Sequence, residues 1–200
     1  MISSSPFKPS VNPATASLRA LRAEAIRNVI RGGIGHDPEG TVCAAWSWTH
    51  GLGLFAATDV VHDRIVLTGS VLQAGPDWDP GWTVTIRPGV YAWLTPAASI
   101  LNHSCGPNLG IVDLGSDGYA FRALRNISAG EELTREYGCT EGWDTGIAYC
   151  HCGAACCTGA VPGYLVSTPA RQARLRDFGV AQWIREIEAR KIKGRRPHAA

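Results

Sequence analysis

Asn102-His103-Ser104-Cys105-Gly106-Pro107-Asn108 places a thiol, an imidazole and two amides in seven residues around a Gly-Pro turn. Alone, such a stretch is a polar loop. Its weight comes from what lies downstream. Gly130-Glu131-Glu132-Leu133 and Tyr137 follow, and then Cys150, Cys152 and Cys157 stand at C-x-C-x4-C spacing. Three thiols within eight residues can wrap one ion, and structural zinc asks for a fourth donor. Cys105, in its tight turn, is the expected fourth, with His151 and Cys156 as rivals. So distant a ligand would pin the C-terminal segment to the Asn102 loop, with on the order of 10 kcal/mol of metal binding feeding into folding. The plain alternative is four unrelated buried thiols, as Cys43 and Cys139 are read to be.

The whole chain sets the frame. Two hundred residues suit one domain, and 45% hydrophobic residues suffice for a real core. A net charge of +2 argues neither for nor against a nucleic-acid partner, and none is predicted. No apolar run has the length of a membrane span, and the N-terminus lacks a signal-peptide layout. The expected compartment is the cytoplasm, where seven cysteines favour metal or free thiols over disulfides.

Residues 1–14, rich in Ser and Pro, read as a tail. Leu18, Leu21, Ala25 and Val29 predict a docking helix within 15–35, stopped by Gly32-Gly33. Short runs rich in Val, Ile, Trp and Tyr predict strands over 41–48, 52–56, 64–72, 82–87, 90–94, 109–113 and 119–124. Tyr119-Ala120-Phe121-Arg122 alternates like a half-buried strand. Thr168-Pro169 opens a helical tail over 168–200, interrupted by Gly179, with Trp183, Ile184 and Ile187 as its apolar stripe and a basic end. Gly51-Leu52-Gly53 lacks both the third glycine of a dinucleotide fingerprint and the Lys of a P-loop, and by itself reads as a tight turn.

The order of these pieces resembles the SET domain family. G-x-G-x-F-A is followed by Asn102-His103-Ser104-Cys105-x-Pro107-Asn108. Then come Gly130-Glu131-Glu132-Leu133-Thr134-x-x-Tyr137-Gly138 and a cysteine segment ending at Gly159. The resemblance spans roughly residues 41 to 165 and is closest to small bacterial members, with Thr140-Glu141-Gly142-Trp143 between the halves. It implies a mainly β, β-clip fold over 36–140, in which the Asn102 segment and the segment ending at Tyr137 cross as a pseudoknot. It also implies a post-SET zinc segment over 141–167 and flanking helices.

The resemblance further implies S-adenosylmethionine as methyl donor and a protein lysine as acceptor. Carried over by motif, Leu52 and Gly53 meet the donor through their backbone, and Asn102 and His103 hold its amino-acid part and adenine edge. Trp143 or Tyr164 stacks on the adenine, and Tyr137 lines the channel where the methyl moves. Cys105, Cys150, Cys152 and Cys157 bind structural zinc. Each residue has a plainer reading: Tyr137 as a core aromatic, His103 as a buried ring bonded to backbone, Asn102 as a capping amide.

Two features depart from the family pattern. Arg135 stands where an aromatic is usual, two residues before Tyr137, and either faces the channel or turns outward to pair with Glu131 or Glu132. Only about fifty residues separate Gly53 from Asn102, which predicts a shallow or open acceptor site; Asp77-Trp78-Asp79-Pro80-Gly81-Trp82 reads either as part of its wall or as a plain hairpin loop. Three functions follow: a protein-lysine N-methyltransferase, a methyltransferase for a small amine, or a non-catalytic zinc module on the same scaffold.

Overall fold

The protein is described by a computed structural model over residue 20 and residues 40–47, 50–79 and 82–194. The N-terminal tail and, but for residue 20, the expected first helix lie outside those residues, as does the chain end beyond 194. The described residues form nine strands and three α-helices. The strands are β1 (Val42–Ser47), β2 (Gly51–Ala56), β3 (Ile65–Gly75), β4 (Thr83–Arg87), β5 (Val90–Leu94), β6 (Asn102–His103), β7 (Leu109–Asp113), β8 (Gly118–Ala123) and β9 (Glu132–Arg135). The helices are α1 (Pro96–Ser99), α2 (Pro169–Asp177) and α3 (Gln182–Gly194). The fold is mainly β, as expected.

The strands pair in the order β1-β2-β9-β7-β8-β3-β5-β4, with β6 alongside β9. The expected strands all form, with shifted ends. β8 departs from its half-buried reading: Tyr119, Ala120 and Phe121 are all buried, because β8 lies between β7 and β3 and is covered on both faces. The Tyr119 hydroxyl, closed off from water, donates to the Thr85 carbonyl at 2.7 Å.

The short strands β6 and β9 escaped the sequence reading, since two and four residues carry too little periodicity to register. They bring distant segments together. β6 runs parallel to β9, with Asn102 opposite Thr134 and His103 opposite Arg135. The Ser104 amide continues the ladder to the Arg135 carbonyl at 3.0 Å. Asn108 extends it by side chain, donating to Glu132 O at 2.8 Å and accepting from Thr134 N at 2.9 Å.

The C-terminal helices close the other side. Thr168 caps α2 by accepting from Arg171 N at 3.3 Å. Gly179 ends the turn beyond α2 with φ 86°, and a Cβ there would lie 2.3 Å from the Ile111 carbonyl. α3 then buries Trp183 and Ile184, and the Trp183 indole donates to Thr85 O at 3.2 Å.

Candidate functional site

The β2–β6–β9 junction forms a polar notch. The Asn102 amide donates to Leu52 O at 3.1 Å and to Glu132 Oε1 at 2.7 Å. Ser47 Oγ donates to Glu132 Oε2 at 2.9 Å. The tight-turn reading of Gly51-Leu52-Gly53 holds only for Gly51, whose φ is 81°. Gly53 sits inside β2, and a Cβ on it would come 2.5 Å from Glu132 Oε1 and 3.0 Å from Asn102 Nδ2. Its missing side chain makes room for that carboxylate and amide. Glu132 and Ser47 are the members of this group that the sequence reading left unassigned; Glu132 was marked only by its place in Gly-Glu-Glu-Leu, and Ser47 by nothing.

Tyr137 stands where β9 gives way to a 3-10 turn, Tyr137–Cys139. Its amide donates to His103 Nδ1 at 3.3 Å and its hydroxyl to Leu101 O at 3.0 Å. The Arg135 guanidinium lies 4.2 Å from the centre of the Tyr137 ring. The outward orientation weighed for Arg135 is thereby corrected. Arg135 is buried and donates to Thr140 Oγ1 at 3.0 Å, while Glu131 pairs with Arg125 at 2.7 Å and Glu132 is held by Ser47 and Asn102. Stacking on the ring makes the inward position tolerable, although Arg135 Nε has no hydrogen-bond partner among the described residues.

His103 is sealed beneath this layer. Burial, with Arg171 and Arg135 close by, holds its pKa down at about 3, so the ring is neutral at physiological pH. Its Nδ1 accepts from Tyr137, which leaves the proton on Nε2, 3.4 Å from Cys105 Sγ. The ring is therefore structural, and its backbone is the part left for a ligand. Below it, ligand atoms of His103, Cys105, Cys150 and Cys152 lie within 4.8 Å of one another. The Cys157 thiol stands beside that group of four, donating to the Cys150 carbonyl at 3.7 Å and accepting from Gly159 N at 3.4 Å. Burial and neighbouring thiols push Cys105 well up and Cys150 to about 11. Cys152 is also raised by burial, but backbone N–H groups of Cys105 and Ala154 bring it down to about 7. Thiols crowded against one another resist ionising unless a cation joins them, so the donor set fits a soft divalent metal. Of the rivals, His151 is exposed against the Tyr149 ring, and Cys156 Sγ meets the Cys105 carbonyl at 3.2 Å.

Tyr164 corrects a further expectation. It is wholly buried and its hydroxyl donates to the Glu188 carboxylate at 3.1 Å, so no ring face is left for a nucleobase. Trp143 is half exposed, 5.6 Å from Trp183 between ring centres, and lines a cleft with Trp78 and Tyr91.

A mainly β domain whose parallel β6–β9 pair joins a tyrosine to a thiol cluster defines one class. Residues 72–138 match the SET domain family, which supports the resemblance carried by the order of the motifs. A 41-residue stretch, 20% of this chain, is 56% identical to histone-lysine N-methyltransferase SMYD3 of Mus musculus. The match spans 9% of that relative's length.

Proposed function

We propose that the protein is an S-adenosylmethionine-dependent N-methyltransferase acting on a lysine side chain of a protein substrate. The observation that carries this reading is the Tyr137 hydroxyl fixed on the Leu101 carbonyl beside the Leu52–Asn102–Glu132 notch. The methyltransferase chemistry of the SET family and the name of the mouse relative support it.

When bound, the donor supplies an electrophilic methyl carbon on a sulfonium sulfur. Leu52, Gly53 and the His103 backbone would line it, and Asn102 would meet its amino-acid end. Glu132 uses two carboxylate lone pairs on Ser47 and Asn102 and keeps others for an ammonium group. The protein's task is alignment of nitrogen, carbon and sulfur, which is catalysis by positioning. The acceptor must arrive neutral, yet an ordinary lysine has a pKa of about 10.4. Arg135, stacked on Tyr137, opposes a second positive charge by about 1–4 kcal/mol at ~4 Å, depending on dielectric. That drives the amine to its neutral form.

A thiolate-bound zinc would be structural, held by Cys105, Cys150, Cys152 and Cys157, with His103 Nε2–H donating to the Cys105 sulfur. Labelled donor incubated with the protein and a cell lysate tests the proposal. Label on a protein lysine supports it. Label only in low-molecular-weight amines would favour the second reading, a small-amine methyltransferase, which the inward cation at Arg135 keeps open. Donor binding with no label transferred would sink both.

A further inference from the structure

Beyond Arg135 lies a cleft of about 120 Å³ walled by Trp78, Tyr91 and Trp143 and bordered by Glu141 and Asp144. Trp78 and Trp143 are 40% and 50% exposed, so large indole faces stand open where most such rings are covered. Trp78 and Tyr91 are tilted by 40° with centres 6.4 Å apart. The Glu141 side chain is buried. Its oxygens accept from Thr85 N at 3.0 Å, from the Thr85 hydroxyl and from Thr140 Oγ1 at 3.2 Å, which fixes the carboxylate in place. Glu141 links the cleft through Thr140 to Arg135.

We propose that this cleft binds an alkylammonium group, with a methylated ammonium as its preferred occupant. Aromatic faces attract a large, weakly hydrated cation through their quadrupoles, and the exposed Asp144 carboxylate at the cleft's border adds charge complementarity. A hard metal ion is a poor match, since it wants six or more oxygens and finds three rings instead. The inference rests on the cleft's own residues and not on methyl transfer.

The test uses the full chain without methyl donor and follows tryptophan fluorescence during titration with choline and with its neutral isostere, 3,3-dimethyl-1-butanol. Saturable quenching by choline, at least tenfold tighter than by the isostere, is expected. Trp78→Ala should weaken choline at least tenfold with an unchanged melting temperature. Tyr91→Leu should weaken it also, which covers a Trp143 variant that fails to fold through loss of Trp183 packing. Equal response to both compounds, no response to either, or full binding in Trp78→Ala overturns the inference. Displacement of choline by S-adenosylhomocysteine would overturn it as well, by making the cleft the adenine site. Apart from that displacement, none of these outcomes bears on donor binding at the Asn102 notch.

Discussion

At the scale of single residues, Tyr137 and Glu141 give opposed lessons. The Tyr137 hydroxyl donates to a backbone carbonyl, a bond worth about 1 kcal/mol to stability. Tyr137→Phe should therefore fold and bind donor as the parent does while losing on the order of tenfold or more in turnover. Unchanged single-turnover rates would remove Tyr137 from the reaction. Glu141 is a matter of protons. Burial raises its pKa above the ordinary carboxylate value, against hydrogen bonds from Thr85 and the nearby Arg135. The folded state then holds a proton that the unfolded state has already lost. Its contribution to stability is full below about pH 4.5 and declines as pH rises toward the folded value, at up to about 1.4 kcal/mol per pH unit. Glu141→Gln removes that slope. Urea melts from pH 4.5 to 6.5 should show parent stability falling relative to Glu141→Gln, and a constant difference would contradict the argument.

At the scale of elements, α2 reaches the site through Arg171, while Leu175 packs under the Tyr137–Cys139 turn. Arg171 Nη2 donates to Glu136 Oε2 at 2.8 Å, and Glu136 is wholly buried. Burial pushes the Glu136 pKa up even with that partner. Arg171→Met leaves an uncompensated buried carboxylate and should cost about 3–5 kcal/mol in urea unfolding, while Arg171→Met with Glu136→Gln recovers most of it. A single-variant cost below ~1 kcal/mol would mean that α2 is not coupled to the site. Element by element, legibility follows length. Five-residue strands such as β5 and β7 announced themselves by β-branched and aromatic content, and Thr168-Pro169 marked α2 through its cap. β6 did not, because its two residues pair only through β9, some thirty positions away. The notch and the thiols were legible as residue types in order. The inward turn of Arg135 and the part played by Glu132 were not, because each depends on contacts made across segments.

At the scale of the whole molecule, the thiol cluster decides whether the chain's two halves act as one body. Cys105 belongs to the Asn102 loop, whereas Cys150, Cys152 and Cys157 belong to the segment after Tyr137. The Cys105 amide meets Cys152 Sγ at 3.3 Å, and Val161 packs on the same small cluster. Tyr164 anchors the far end of the segment in the main core, but between Thr145 and Val161 the small cluster is far poorer in apolar residues, and sulfur makes up most of it. A metal joining these thiols would supply what packing does not. The purified protein is expected to carry about one equivalent of zinc. Its removal by a chelator should lower Tm on the order of 10 °C, a few kcal/mol for a chain of this size, and open the segment to proteolysis first. Cys105→Ser and Cys157→Ser should each lose most of the metal. His103→Gln should keep it, because Nε2 carries a proton and Nδ1 is spent on Tyr137. If His103→Gln empties the site while Cys157→Ser stays loaded, the ligands are three cysteines and the histidine, and the ring assigned here to support the site would be one of its donors.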